Sequence, residues 1–231
     1  MSIPGVDRAR LMLRRDGALG AARRVARRAG SYAALSEDHL WFVLDADAQR
    51  PRPPLAPGLT LIRPASSDLQ LLEQLTTVVP RTARARIDAG NDLWLVLEGD
   101  RMLLNMWVFR DRTPTIAVPG GLLALPSDTV CLEDVEAVPA ARGKGIAPAA
   151  YAAIADAMLA EGKRWIVNKT TVENESAQRA VQKAGFEAVA QMHFRRRGRR
   201  SRTWLELLDG PGASFFAECV GPGLTAGHAP R

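Results

Sequence analysis

Apolar and polar positions change period several times along the chain, and each change marks an element. Residues 129–138 are an apolar, β-branched run short enough for a buried strand. In residues 146–161, Ile146, Ala149, Ala150, Ala153, Ile154, Ala157, Met158 and Ala160 recur at helical spacing until Gly162 stops them. Residues 165–170 then read as a strand and 175–184 as a helix ended by Gly185. Two further strands, 186–195 and 203–208, flank an Arg-rich hairpin. Upstream, 59–63 reads as a strand, and Ser66 or Ser67 can cap a helix over 68–78 that Pro80 ends. A short helix, 83–89, stops at Gly90, and strands 93–97 and 102–109 surround the turn Glu98-Gly99-Asp100-Arg101. Residues 115–125 form another strand, broken by a bend or bulge at Pro119-Gly120-Gly121.

Near the N-terminus, 6–29 alternate Leu11, Met12, Leu19, Ala22, Val25 and Ala26 with arginines, an amphipathic helical pattern interrupted by Gly17 and Gly20. Residues 40–44, Leu-Trp-Phe-Val-Leu, read as a strand that adds to a sheet or packs on it. Prolines at 51, 53, 54 and 57 preclude regular structure over 49–58, so the boundary belongs there. The expected organisation is a basic helical extension and Pro-rich linker (1–57), one domain (58–209) and a flexible Gly/Pro-rich tail (210–231). The fold class is mixed α/β.

Composition narrows the class without naming a function. At 231 residues, 47% hydrophobic and 24% charged, the chain can bury one sizeable core. No apolar run approaches the roughly 20 residues that span a bilayer, and the N-terminus lacks the apolar core of a secretory signal. A soluble cytoplasmic protein is expected. Cys131 and Cys219 lack metal-ligand spacing and read as inert thiols. The net charge of +6 suggests anionic partners. Lysine, however, appears only at Lys144, Lys163, Lys169 and Lys183, and such an arginine bias discounts the charge as a signal.

The turn between the strand at 129–138 and the helix after it carries the chemistry. Gly143 and Gly145 have no Cβ and stand where a helix N-terminus offers unpaired N–H donors, a geometry that binds anions. A Walker A loop would need Ser or Thr directly after Gly143-Lys144, where Gly145 stands. A dinucleotide fingerprint would need a third glycine, where Pro148 stands. Arg142, Gly145 and Ala147 instead fill the three defined positions of the acyl-CoA motif of the GCN5-related N-acetyltransferase (GNAT) superfamily, which the segment resembles. Downstream, Asn174, Ala177, Arg179, Lys183, Gly185 and Phe186 resemble the second half of that signature at the correct distance.

The resemblance covers about 59–208 and implies a mostly antiparallel central sheet flanked by helices. It implies acetyl-CoA as cosubstrate, without a metal, and direct attack in a ternary complex by the primary amine of a small molecule or peptide. The cosubstrate would be held by Glu136, Ala137, Val138, Arg142, Gly143, Lys144, Gly145, Ile146, Ala147, Asn174, Arg179 and Lys183. Its pyrophosphate would lie on the N–H groups of residues 142–147, and a backbone N–H within 135–138 would polarise the carbonyl. A homodimer is compatible with this picture, and the acceptor itself is not readable, because fold does not fix substrate.

An alkylammonium must lose a proton before it can attack, so an acid near the site is expected. Glu133, Asp134 and Glu136 crowd one strand, where unpaired charge is costly. Alternation sends Glu133 to one face and Asp134 with Glu136 to the other. Glu133 is the expected base, with Asp134 orienting the amine; the competing reading pairs these acids with an arginine such as Arg63 or Arg110. Where many relatives carry a tyrosine to protonate the leaving thiolate, this chain has Val181. Tyr151 sits on the other helix and reads as core, and His193 is a lone histidine. The departure at Val181 motivates an alternative, a catalytically idle binding module that contacts nucleic acid or a protein through its Arg-rich segments. The run Arg195-Arg196-Arg197-Gly198-Arg199-Arg200 lacks interleaved aromatics, so nucleic acid is the less favoured partner.

Overall fold

A computed structural model describes residues 34–64, 69–72 and 80–226. The expected helix over 6–29 lies outside these residues, as does most of the one over 68–78, of which 69–72 are described as a 3-10 turn with Leu69 and Leu72 buried.

The strands are β1 (Ala34–Asp45), β2 (Leu59–Ile62), β3 (Asp92–Glu98), β4 (Arg101–Phe109), β5 (Arg112–Pro114), β6 (Leu122–Ala124), β7 (Thr129–Ala137), β8 (Trp165–Thr171), β9 (Glu187–Arg197) and β10 (Arg200–Leu207). Eight form one sheet in the order β10-β9-β1-β8-β7-β4-β3-β2, antiparallel throughout except for the parallel pair β7 and β8. The helices are α1 (Pro80–Asp88), α2 (Ile146–Ala160) and α3 (Glu175–Lys183). Pro80 opens α1, a first helical position that needs no N–H, and the end of the helix expected before it lies outside the described residues. Of residues 115–125, expected as one broken strand, only Leu122–Ala124 are strand, and they pair with Arg112–Pro114 as the β5–β6 hairpin, a separate two-stranded sheet.

Two cores result because every central strand is apolar on both sides. On one face α2 and α3 bury Ile146, Tyr151, Ile154, Met158 and Val181 against Phe42, Leu104, Val130 and Leu132. On the other face α1, the β5–β6 hairpin and the C-terminal segment cover Trp41, Trp107, Cys131, Val167 and Met192.

Two expected boundaries are corrected here. The 40–44 strand is part of a longer β1 that lies inside the sheet, hydrogen-bonded to β8 on one side and β9 on the other. It therefore belongs to the domain and not to an extension, and its unbroken apolar run Leu40-Trp41-Phe42-Val43-Leu44 is what a strand buried on both faces requires. The tail is corrected as well. Residues 213–225 form successive helical turns whose Phe216, Val220 and Leu224 are buried, with Phe216 packed on Trp41 at 5.4 Å between ring centroids. The Gly/Pro content that reads as disorder serves close packing: a Cβ on Gly212 would stand 2.8 Å from Val43 Cγ1.

Candidate active site

β7 and β8 pair only at Thr129↔Trp165, Val130↔Ile166 and Cys131↔Val167, although β7 continues to Ala137 and β8 to Thr171. Past those three pairs the strands part, and an opening forms in the middle of the sheet. A bulge accompanies the opening. Trp107 faces Glu133 and Asn105 faces Glu136, so that Asp134 and Val135 oppose Met106 alone, with Asp134 at φ 52°. Positive φ is uncommon for a residue with a side chain, and such strain collects at functional sites.

The bulge also resets which side chains share a face. Leu132 packs with the α2 core, as do Val135 and Ala137 beyond the bulge. Glu133 turns to the opposite side, where it is buried, accepting a hydrogen bond from Thr113 Oγ1 at 2.8 Å and pairing with Lys169. Asp134 pairs with Arg86 of α1 at 2.7 Å, and that guanidinium lies over the Trp107 and Phe109 rings. The expected alternation of Glu133 against Asp134 is thus corrected: both acids contact groups of the α1 face. Their partners are Lys169 and Arg86, whereas Arg63 and Arg110 both bind Glu161.

On the α2 face, the opening meets a cleft of about 610 Å³. Its walls bring together Glu136, Ala137, Arg142, Gly143, Gly145, Ile146, Ala147, Asn174, Arg179 and Lys183, ten of the residues singled out from sequence. Val138 and Lys144 are not on the wall; Val138 packs against the two cores, and Lys144 is exposed at the turn. Gly143 and Gly145 take φ of 76° and 74°, and no atom lies within 4 Å of where a Cβ would stand on either. The turn therefore faces open space, and the N–H groups of Gly143, Lys144 and Gly145 have no partner among the described residues. Arg142 Nε donates to Ala137 O at 3.2 Å and ties the turn to the end of β7. Asn174 Oδ1 accepts from Ala177 N at 3.2 Å, capping α3 on the opposite wall. A phosphorylated ligand with an extended arm fits these walls, with donors at the helix end and a bare strand edge beside it.

Sequence reasoning missed Leu104, Pro148 and Ser176 on this wall, and it placed Tyr151 in the core alone. Tyr151 is buried and lines the cleft, its hydroxyl 3.3 Å from Asn168 Nδ2. Burial pushes its phenol well above the usual value. Val181 is fully buried, so no acid stands at that position. His193 lines neither cavity described here: it bonds Asp38 at 2.7 Å and stacks on Trp204.

A second cavity, about 350 Å³, lies on the other face and is lined by Glu37, His39, Pro114, Thr115, Ile116, Gly121 and Lys169. The period of two in β1 places Glu37 and His39 on the side of Trp41, and Trp41 pairs with Lys169. Burial holds the Lys169 ammonium below its ordinary pKa, opposed by Cys131 and Glu37. The one available signal for β1's part in this wall was the spacing Glu37, His39, Trp41 at every second residue.

The model of the Acetyltransferase (GNAT) family matches residues 74–186, a span that contains the parting strands, the glycine turn and α3. The chain carries a GNAT-family acetyltransferase domain. Two solved structures share the fold at a TM-score of 0.50 or more. A GCN5-related N-acetyltransferase from Sphaerobacter thermophilus is similar with a TM-score of 0.50 and 15% identity, covering 78% of this chain and 57% of its own. The glucosamine N-acetyltransferase region of a fungal multi-domain GH3 β-N-acetylglucosaminidase reaches a TM-score of 0.52 at 13% identity, over 74% of this chain and 22% of that one. A GNAT-family acetyltransferase structure from Novosphingobium aromaticivorans gives 0.48 at 18%, over 76% and 66%. The chain spans less than two thirds of the length of the first solved structures it matches. No curated protein matches the chain in sequence. The GNAT domain here differs from a bare 74–186 segment in depending on β1 and residues 213–225 for one of its cores. Among the described residues, no helix is long and apolar enough to cross a membrane.

Proposed function

We propose that this protein transfers the acetyl group of acetyl-CoA to a primary amine by direct attack, with the two substrates on opposite faces of the sheet. The observation that carries the reading is the opening between β7 and β8, which has the glycine turn and its cleft on one face and, on the other, a cavity whose wall includes Glu37, His39 and Lys169. In this reading the N–H groups of residues 143–147 hold the pyrophosphate, and Arg142 and Lys183 add positive charge beside it. The unpaired edge of β7 past Cys131 binds the amide-bearing arm, and a backbone N–H near the bulge polarises the carbonyl. Alignment of carbonyl and amine in the opening removes much of the entropic part of the barrier.

Glu133 keeps a place in this mechanism, but with Thr113 and Lys169 both donating to it, it acts as a positioning residue. It holds the Lys169 ammonium at the opening, near the point where negative charge develops on the leaving thiolate. Asp134, paired with Arg86, fixes the bulge. The acceptor is a primary amine small enough for, or extended enough to reach into, the second cavity.

Calorimetry with acetyl-CoA, followed by thiol release over a series of primary amines, tests the proposal. Micromolar binding and turnover with at least one amine are expected. Absence of acetyl-CoA binding would overturn it.

A further inference from the structure

Asn105 is a polar side chain with no exposed surface, placed where β4 meets the bulge of β7. In register it lies opposite Glu136, the first residue of β7 paired after the bulge, and its Oδ1 accepts the Glu136 N–H at 3.1 Å. Two residues further on, Val138 N–H donates to Leu103 O at 2.9 Å. Both N–H groups are therefore held on the β4 side. A trans peptide is planar with its N–H and C=O opposed, so the Val135 carbonyl, which shares a peptide unit with the Glu136 N–H, points away from β4. Extended residues alternate the edge to which their N–H and C=O turn, which puts the N–H groups of Val135 and Ala137 on the edge facing the opening. Two observations agree with this. Val135 and Ala137 both line the cleft, and Ala137 O, on that edge, receives Arg142 Nε.

We propose that Val135 N–H is the donor that polarises the thioester carbonyl and that Asn105 is the positioning residue that aims it, an assignment that rests on the transferase reading above.

The order of groups along the edge selects Val135. A ligand whose phosphates sit at residues 143–147 meets Ala137 first and Val135 next on its way into the opening. Ala137 is placed for the arm, and Val135, next to the bulge residue Asp134, for the reacting end. Just before the bulge stands Glu133 with Lys169, and Lys169 lines the second cavity, the side from which the amine comes.

The need for Asn105 follows from the bulge itself. Asp134 and Val135 oppose Met106 alone, so the ladder with β4 is interrupted where the donor must be aimed. The Asn105 side chain reaches across that interruption and fixes the plane of the Val135–Glu136 peptide from its far end. Because the site is fully buried, water does not substitute for the amide oxygen.

As the amine nitrogen bonds to the acetyl carbon, the π pair of the carbonyl moves onto oxygen, where Val135 N–H meets the charge as it forms. The pair returns as the C–S bond breaks with its electrons on sulfur. Of the three protons on the ammonium, one goes to water before attack, one to the thiolate after it, and one stays on the amide. Asn105 gains and loses none.

The test uses the full chain as wild type, Asn105→Leu and Asn105→Asp. In wild type, NMR should show the Val135 amide proton moving downfield with acetyl-CoA and not with CoA; equal responses to the two would overturn the proposal whether or not the variants fold. By infrared difference spectroscopy, acetyl-CoA labelled at the carbonyl carbon should show a lower carbonyl stretch when bound than when free. Asn105→Leu should return the stretch toward the free value and lower kcat about 10²-fold, with the Kd for CoA unchanged. Asn105→Asp keeps an acceptor at the same atom and should recover both the stretch and kcat. A purely structural Asn105 would lower the melting temperature in Asn105→Leu and leave stretch and kcat at their wild-type values, and that result would overturn the proposal. If wild type binds no acetyl-CoA, the transferase reading falls and this assignment with it. If wild type binds and turns over acetyl-CoA with an unshifted stretch, the assignment falls alone.

Discussion

At the scale of single residues, the site depends on positions where an ordinary side chain would be strained or a charge stranded. Gly145 at φ 74° cannot accept a β-branched residue without a backbone penalty of about 1–2 kcal/mol. Gly145→Val should weaken acetyl-CoA binding at least tenfold by calorimetry, with a smaller effect on the melting temperature than a core substitution has. Glu133→Gln leaves Lys169 buried without its counter-charge and should destabilise by about 3–5 kcal/mol in denaturant titrations. Replacing both by methionine should restore most of that stability while activity stays lost. His39 gives a pH signature of its own. Its folded pKa is held below 6.5, so as pH falls through 6.5 the unfolded chain takes up the proton first, and stability declines with acid until the folded value is passed. In His39→Gln that decline should be smaller, measured as unfolding free energy against pH. At this scale the sequence was most legible where local turn and cap geometry decide: Arg142, Gly145 and Asn174 line one cleft. It was least legible at Glu133 and Asp134, because the bulge that turns them together is a property of the pairing with β4, not of any local run.

At the scale of elements, the strands and helices of residues 59–208 follow their hydrophobic periods closely, and the departures come where long-range contacts decide. Residues 112–124 pair with each other across the Pro119-Gly120-Gly121 turn instead of joining the large sheet. Residues 213–225 read as a tail because Gly212, Gly221 and Gly223 outweigh the local pattern, yet those glycines permit close approach to Val43, Leu205 and Leu123. Phe216→Ala should cost about 3–5 kcal/mol by removing a fully buried ring from Trp41. Thermal unfolding followed by tryptophan fluorescence checks this, since Trp41 reports the change directly.

For the whole molecule, the segment that carries the family signature is smaller than the unit that folds. Residues 74–186 contain the parting strands and the glycine turn, but the outer edge of β8 is completed by β1. Expressed alone, 74–186 should aggregate or unfold without a cooperative transition by calorimetry, whereas a chain from 34 to 226 should melt as one unit. Periodicity identified the strand in β1; it could not say where that strand inserts, because both faces of a central strand are apolar in any of several positions.

The place of β1 also sets a timetable. β1 leaves the ribosome well before either of its neighbours, β8 and β9, exists, and it has no sheet to join until nearly the whole chain has emerged. Its apolar stretch must wait exposed through most of synthesis, and closing so long a loop makes the final step slow. The strand that brings His39 to the cavity is thus also the one that obliges the nascent protein to finish folding late, under whatever protection the cell gives an unpaired hydrophobic strand.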